Sequence, residues 1–135
     1  MDASATFSLF VRELPASRNF LLACGLDDLL GELESFRFDA ADIAYLRSLG
    51  MLPESLFAAL ADFHFTGDVF AAAEGTPVFP GEPILEVTAP IAQAQVVETL
   101  VVNQISLQTV LASKAARVVE AAAGRPVVDF GARRA

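Results

Sequence analysis

The first apolar pattern along the chain has period two. In Thr6-Phe7-Ser8-Leu9-Phe10-Val11-Arg12, the side chains of Phe7, Leu9 and Val11 share one face, which predicts a strand closed by Pro15. Asn19 to Ala23 forms a second short apolar run before Gly25. The period then changes. Leu26, Leu29, Leu30 and Leu33 recur at helical spacing, with Asp28, Glu32 and Glu34 on the opposite, wet face. Asp39 marks the next start as an N-cap, with Asp42 at the third helical position, where the helix dipole favours a negative charge. Phe38 and Ile43 have the spacing of a hydrophobic staple, and Gly50 after Leu49 supplies the stop. Pro53 opens a third helix running to about Asp62, with Leu56, Phe57 and Leu60 facing inward.

Between Phe63 and Pro90, glycines and prolines punctuate runs of only a few residues. Val69-Phe70-Ala71 and Ile84-Leu85-Glu86-Val87 read as strands, and Pro80-Gly81-Glu82-Pro83 as the turn before the second, giving a compact β-meander. One long helix follows from Ile91 to about Ala123, with Pro90 at its start and Gly124 as its stop. Its less apolar positions, Gln95, Thr99, Asn103, Ser106, Ser113, Arg117 and Glu120, form a single narrow stripe. The rest of its circumference is mostly Val, Leu, Ile or Ala, so it must be covered on several sides. After it, Val127-Val128-Asp129-Phe130 reads as a buried parallel strand of the kind found in α/β sheets and barrels, which requires neighbours on both sides.

Composition sharpens this picture. The 135 residues are 54% hydrophobic and 19% charged, which excludes a disordered tail. Mean hydropathy is +0.50, high for so short a chain. A small domain buries only about 60–70% of its unfolded surface, so the apolar excess implies an oligomer, a partner or a remainder of the same chain. The net charge of −8 leaves no overall basic footprint for nucleic acid. Charge is uneven, however. Residues 1–100 carry four basic and fifteen acidic groups, a net of −11, whereas residues 101–135 carry five and two, a net of +3. An anionic ligand is therefore expected near the C-terminal end. The start lacks the basic and uninterrupted apolar regions of a signal peptide, and polar residues interrupt 91–123 every few positions. The expectation is a cytoplasmic protein without a membrane span.

Candidate chemistry is sparse. No phosphate loop, nucleophile elbow, zinc-protease motif or dinucleotide fingerprint is present. Cys24, the only cysteine, excludes an internal disulfide and reads as a core residue. His64, between Phe63 and Phe65, reads as a partly buried packing residue rather than a general base, for want of a partner. Asp27, Asp28, Glu32 and Glu34 read as a solvated helix face rather than a cation site. For Lys114 and Arg117, anion binding and the ordinary attraction of a helix's C-terminal half for cations weigh evenly. Arg133 and Arg134 follow the expected strand at its C-terminal end, the edge where α/β sheets and barrels bind ligands. Arginine forks match phosphate oxygens bidentately. Two harmless charges on an exposed terminus remain the other reading.

Several motifs in order resemble the nicotinate phosphoribosyltransferase family. They are Phe36-Arg37-Phe38, Asp42 to Gly50, Phe65-Thr66-Gly67-Asp68-Val69-Phe70 and Glu74 to Leu85. Further along come Pro90 to Gln95, Glu98-Thr99, Asn103, Gln108-Thr109 and Ser113-Lys114-Ala115-Ala116-Arg117. Gly124-Arg125-Pro126-Val127 and Asp129-Phe130-Gly131-Ala132-Arg133-Arg134-Ala135 complete the match. The resemblance implies an α/β (α+β) fold: the open-faced β-meander and helix domain of a type II phosphoribosyltransferase, joined to an incomplete α/β barrel. Residues 1–125 would form the open-faced domain with the long helix, and 126–135 the first barrel strand and loop.

The implied reaction condenses nicotinate with phosphoribosyl pyrophosphate to nicotinate mononucleotide and pyrophosphate, coupled to ATP hydrolysis, in NAD biosynthesis. Arg133 and Arg134 match the family's substrate-binding arginine pair. ATP and Mg are implied for the complete enzyme, with no cofactor in this chain. The family's phosphorylated histidine and phosphoribosyl loops lie beyond Ala135, and its nicotinate-contacting tyrosine belongs to a segment before Met1. His64 does not match that histidine. The chain is expected to be inactive alone, as a truncation or one piece of a split enzyme. Its partners would be a second copy, through the long helix, or a complementary C-terminal piece. The alternatives are a non-catalytic remnant that dimerises or docks on a partner and, less favoured, quinolinate phosphoribosyltransferase chemistry.

Overall fold

The computed structural model describes residues 3–131. Strand β1, Ser4–Phe10, pairs antiparallel with β5, Pro83–Pro90, and β5 pairs antiparallel on its other edge with β3, Asp68–Ala71. The sheet order is therefore β1-β5-β3. Phe7 lies opposite Val87 and Leu9 opposite Leu85, so the period-two apolar sets of two strands far apart in the chain meet on one face. The opposite face is hydroxyl-rich: Thr6 Oγ1 and Thr88 Oγ1 are 2.8 Å apart, and Ser8 Oγ donates to Glu86 Oε1 at 2.7 Å. A second, two-stranded ribbon joins β2, Leu21–Leu22, to β4, Pro77–Val78.

Four helices complete the fold: α1, Leu26–Ser35; α2, Ala40–Ser48; α3, Glu54–Ala61; and α4, Ile91–Ala122. The predicted Asp39 cap of α2 is confirmed. Asp39 Oδ1 accepts from the amides of Ala41 (2.7 Å) and Asp42 (2.8 Å), and Asp42 Oδ2 accepts from the Asp39 amide at 3.0 Å. The ring of Phe38 stands edge-on to Phe36 and Phe63, with centroids 5.4 and 5.7 Å away. Arg47 forks onto Glu54 and lies over the Phe57 ring, tying α2 to α3.

The core sits between the sheet, α1 and α4. Leu85, Val87 and Ala89 of β5 face Ala94, Val97, Val101 and Ile105 of α4, with Leu21, Ala23, Leu29, Leu33 and Val78 closing the side. Gly67 is fixed by close approach. A Cβ there would lie 2.6 Å from the Thr88 carbonyl oxygen and 2.6 Å from Ala89 Cβ, which explains the glycine in Phe65-Thr66-Gly67-Asp68.

Four expectations are corrected. First, the inner edge of α4 is partly polar: Thr109 and Ser113 are buried, while Leu107, Leu111 and Val119 are exposed. Ser113 and Arg117 therefore do not lie on a wet stripe. Second, Asp28 and Glu32 are not merely solvated, because Asp28 accepts from Gln108 at 2.9 Å and Glu32 from Gln104, cross-linking α1 to α4. Third, residues 126–130 form no strand among the described residues, and Val127, Val128 and Phe130 are exposed. A parallel strand takes its hydrogen bonds from neighbours, and neither sheet reaches this segment. Helix α4 also stops one residue earlier than Gly124 implies, with Ala123 itself left-handed at φ 49°.

Candidate functional site

The best-built polar constellation joins α4 to β2. One edge of β2 serves β4: the Ala23 amide donates to the Thr76 carbonyl at 2.9 Å, and the Gly75 amide to the Ala23 carbonyl at 2.8 Å. The other edge has no strand beside it, and α4 side chains take that place. Ser113 Oγ accepts from the Leu22 amide at 2.7 Å. Thr109 Oγ1 lies 3.2 Å from both the amide and the carbonyl of Cys24, accepting from one and donating to the other. Arg117 Nη2 donates to the Phe20 carbonyl at 2.5 Å.

The spacing has a simple cause. Four residues of helix advance about 6 Å, and two residues of strand advance about 6.6 Å. Residues 109, 113 and 117 therefore keep step with 24, 22 and 20 as the two elements run in opposite directions. Among the described residues no buried side-chain nitrogen or oxygen lacks a hydrogen-bond partner, as a low-dielectric interior requires.

The last rung carries charge. Arg117 Nη1 donates to the Ser113 carbonyl at 2.7 Å, and the guanidinium carbon stands 4.8 Å from the centroid of the Phe20 ring. Phe20 in turn leans on Phe79, with centroids 6.5 Å apart. Among the described residues the one ion pair is Arg47 with Glu54, so Arg117 meets no carboxylate. Lys114, one turn earlier, is exposed.

A second constellation lies at the start of α1. Gly25, at φ 104°, turns the chain so that Glu74 Oε1 accepts from the amides of Gly25 (2.8 Å) and Leu26 (2.6 Å). Burial alone would raise the Glu74 carboxyl. Hydrogen bonds from the Cys24 thiol and from the Leu26, Gly25 and Asp27 amides outweigh it and hold the carboxyl below its ordinary value. The Cys24 thiol is pushed up, first by its bond to Glu74, then by burial and by the Glu74 charge. A thiol held protonated is a poor nucleophile, in keeping with a packing role.

The remaining candidates fall apart. His64 is exposed rather than partly buried, and Nδ1 meets only the Asp62 carbonyl, at 3.0 Å. Among the described residues no three His, Cys, Asp or Glu side chains lie together to hold a metal. Arg133 and Arg134 lie outside the described residues. Glu74 and Thr109 were not singled out from the sequence as bonding groups. Only the four-residue spacing of Thr109, Ser113 and Arg117 hinted at a shared helix face.

Helix α4 is long and apolar enough to cross a membrane by length and composition alone. Here its inner face is instead committed to the sheet and to β2.

Comparison with known proteins agrees along the whole chain. Residues 1–106 match the nicotinate phosphoribosyltransferase (NAPRTase) N-terminal domain. A nicotinate phosphoribosyltransferase of Mycobacterium tuberculosis (strain ATCC 25618 / H37Rv) is 58% identical over 135 residues, covering 100% of this chain and 29% of that protein. The enzyme of the same name from Bacillus subtilis (strain 168) is 36% identical over 134 residues, 99% of this chain and 27% of that one. The crystal structure of human nicotinic acid phosphoribosyltransferase superposes with a TM-score of 0.80 at 33% identity, covering 92% of this chain and 25% of the human one. The chain thus spans less than a third of the length of these relatives. With its motifs, its mixed helix and sheet fold and these matches in accord, the chain belongs to the nicotinate phosphoribosyltransferase family, as part of its N-terminal region.

Proposed function

We propose that this chain supplies the N-terminal part of an enzyme that joins nicotinate to phosphoribosyl pyrophosphate, giving nicotinate mononucleotide and pyrophosphate with ATP hydrolysis. The observation that carries this is 58% identity over all 135 residues to a relative bearing that name. In this reading, residues 1–125 are the open-faced domain and residues 126–135 lead into the barrel. Arg133 and Arg134 hold carboxylate or phosphate oxygens while negative charge grows on the departing pyrophosphate, a role suited to fixed guanidinium forks. In this reading ATP and Mg belong to the complete enzyme.

The segment alone makes no product in this reading, because most of the reacting groups come from elsewhere. The exposed apolar face of α4, with Leu107, Leu111, Val118 and Val119, supports its burial against a second copy or against the rest of the enzyme. The compartment in this reading is the cytoplasm.

A chimera tests the reaction. These 135 residues would replace the matching segment of the Mycobacterium tuberculosis relative, and nicotinate mononucleotide formation would be followed with and without ATP. Product at a rate within tenfold of the unmodified relative is expected, and none from the 135 residues alone. A folded chimera that forms no product overturns the proposal.

A further inference from the structure

We propose that Arg117 and Lys114 together seat an oxyanion, a carboxylate or a phosphate, at the C-terminal half of α4. That this anion belongs to a substrate rests on the reaction proposed above; the seat itself rests on the geometry of Arg117. A guanidinium has five N–H donors, and Arg117 gives one to the Ser113 carbonyl and one to the Phe20 carbonyl. Those two bonds and the Phe20 ring, 4.8 Å from the guanidinium carbon, fix the plane of the fork and leave three donors unassigned. A fork already held in place loses little freedom when it takes up an anion.

Two carbonyls, the Phe20 ring and the C-terminal half of the helix favour a cation here, but none of them neutralises its charge. Arg117 is partly buried, and a cation withdrawn from water is ordinarily paired. Among the described residues it has no carboxylate partner, although Glu120 lies one turn further along α4. Lys114 adds a second positive charge one turn back, exposed and without a hydrogen bond among the described residues that would tie it down. Both lie in the one part of an acidic chain whose charge is net positive, +3 over residues 101–135. With no carboxylate partner among the described residues and its fork already oriented, Arg117 is built to receive negative oxygens, and the exposed Lys114 adds charge beside it.

The test is a nuclear magnetic resonance titration of the 135-residue chain with inorganic phosphate and, separately, with nicotinate. Circular dichroism verifies folding, and the chimera described above takes the chain's place if the chain does not fold alone. Saturable shifts are expected at the amides of Ser113 to Val118 and at Phe20, for whichever anion is the natural one. Arg117→Met should weaken that midpoint about tenfold, or 1.4 kcal/mol. Lys114→Ala should weaken it severalfold, and its exposed side chain keeps the test open if Arg117→Met unfolds. Arg117→Lys, which keeps the charge without the fork, should fall between wild type and Arg117→Met. Shifts that do not saturate, or midpoints unchanged in Arg117→Met and Lys114→Ala, overturn the seat. The two proposals fail separately. A chimera without activity that still binds the anion refutes the reaction alone, and an active chimera indifferent to both substitutions refutes the seat alone.

Discussion

Replacing Ser113 by alanine removes one oxygen from the seam between α4 and β2. That oxygen accepts from the Leu22 amide at 2.7 Å and donates to the Thr109 carbonyl at 2.5 Å. The Thr109 carbonyl remains inside the helix, so the loss falls on the Leu22 amide, whose edge of β2 faces α4. Leaving a partly buried amide such as that of Leu22 without an acceptor falls in the lower part of the range of about 1–3 kcal/mol for an unsatisfied buried group. Alanine recovers about 0.5 kcal/mol through its better helix propensity. The net expectation is a loss of about 1 kcal/mol. With an unfolding entropy of about 2.1 cal/mol/K per residue, a chain of 135 residues would lose about 4 °C in Tm. Urea denaturation followed by circular dichroism at 222 nm measures it. Ser106→Ala is the control, because Ser106 shares the sequence's polar stripe but is exposed on α4, and it should change stability by less than about 0.5 kcal/mol. Equal effects for the two serines would refute the account of the seam, since only Ser113 is buried and bonded to the Leu22 amide.

Two further perturbations probe the rest of the fold. Gly67→Ala should destabilise by about 2–3 kcal/mol in the same denaturation assay, because its Cβ meets the Thr88 carbonyl and Ala89 Cβ at 2.6 Å with little freedom to yield; a change below about 0.5 kcal/mol would show that the loop shifts freely. Glu74→Gln should cost about 1 kcal/mol at neutral pH through the weakened cap on α1. The Glu74 carboxyl is depressed in the folded protein, so its contribution is present above the unfolded value and is lost as pH falls through the folded one. The difference between wild type and Glu74→Gln should accordingly shrink on acidification, and a difference that stays constant with pH would sink this assignment.

Local signals placed most of the elements. The alternation of Phe7, Leu9 and Val11, the Asp39 and Asp42 pair, and the Pro90 start of α4 each act within a few residues, where backbone sterics and capping bonds are decided. The short ribbon of β2 and β4 was legible only in part, because two-residue strands carry too little periodicity to register. The candidate site was less legible still. A sequence identifies Glu74 as a charged residue in a loop, but its partners are 48 and 49 residues earlier in the chain. Arg133 and Arg134 remain an expectation carried by resemblance, since they lie outside the described residues.

The sequence alone therefore determined the order and kind of most of the elements, the family, and the positive end of an acidic chain. Which side of α4 turned inward was settled only by the tertiary structure. The polar stripe read from the sequence assigns Ser113 and Arg117 to water, whereas Val118 and Val119 count as apolar and are assigned to the core. The free edge of β2 reverses part of that assignment. Its amides and carbonyls need partners, and side chains spaced four apart on a helix match backbone groups spaced two apart on a strand. The valines are left facing outward, and that exposed surface is what the opening excess of apolar residues amounts to in three dimensions.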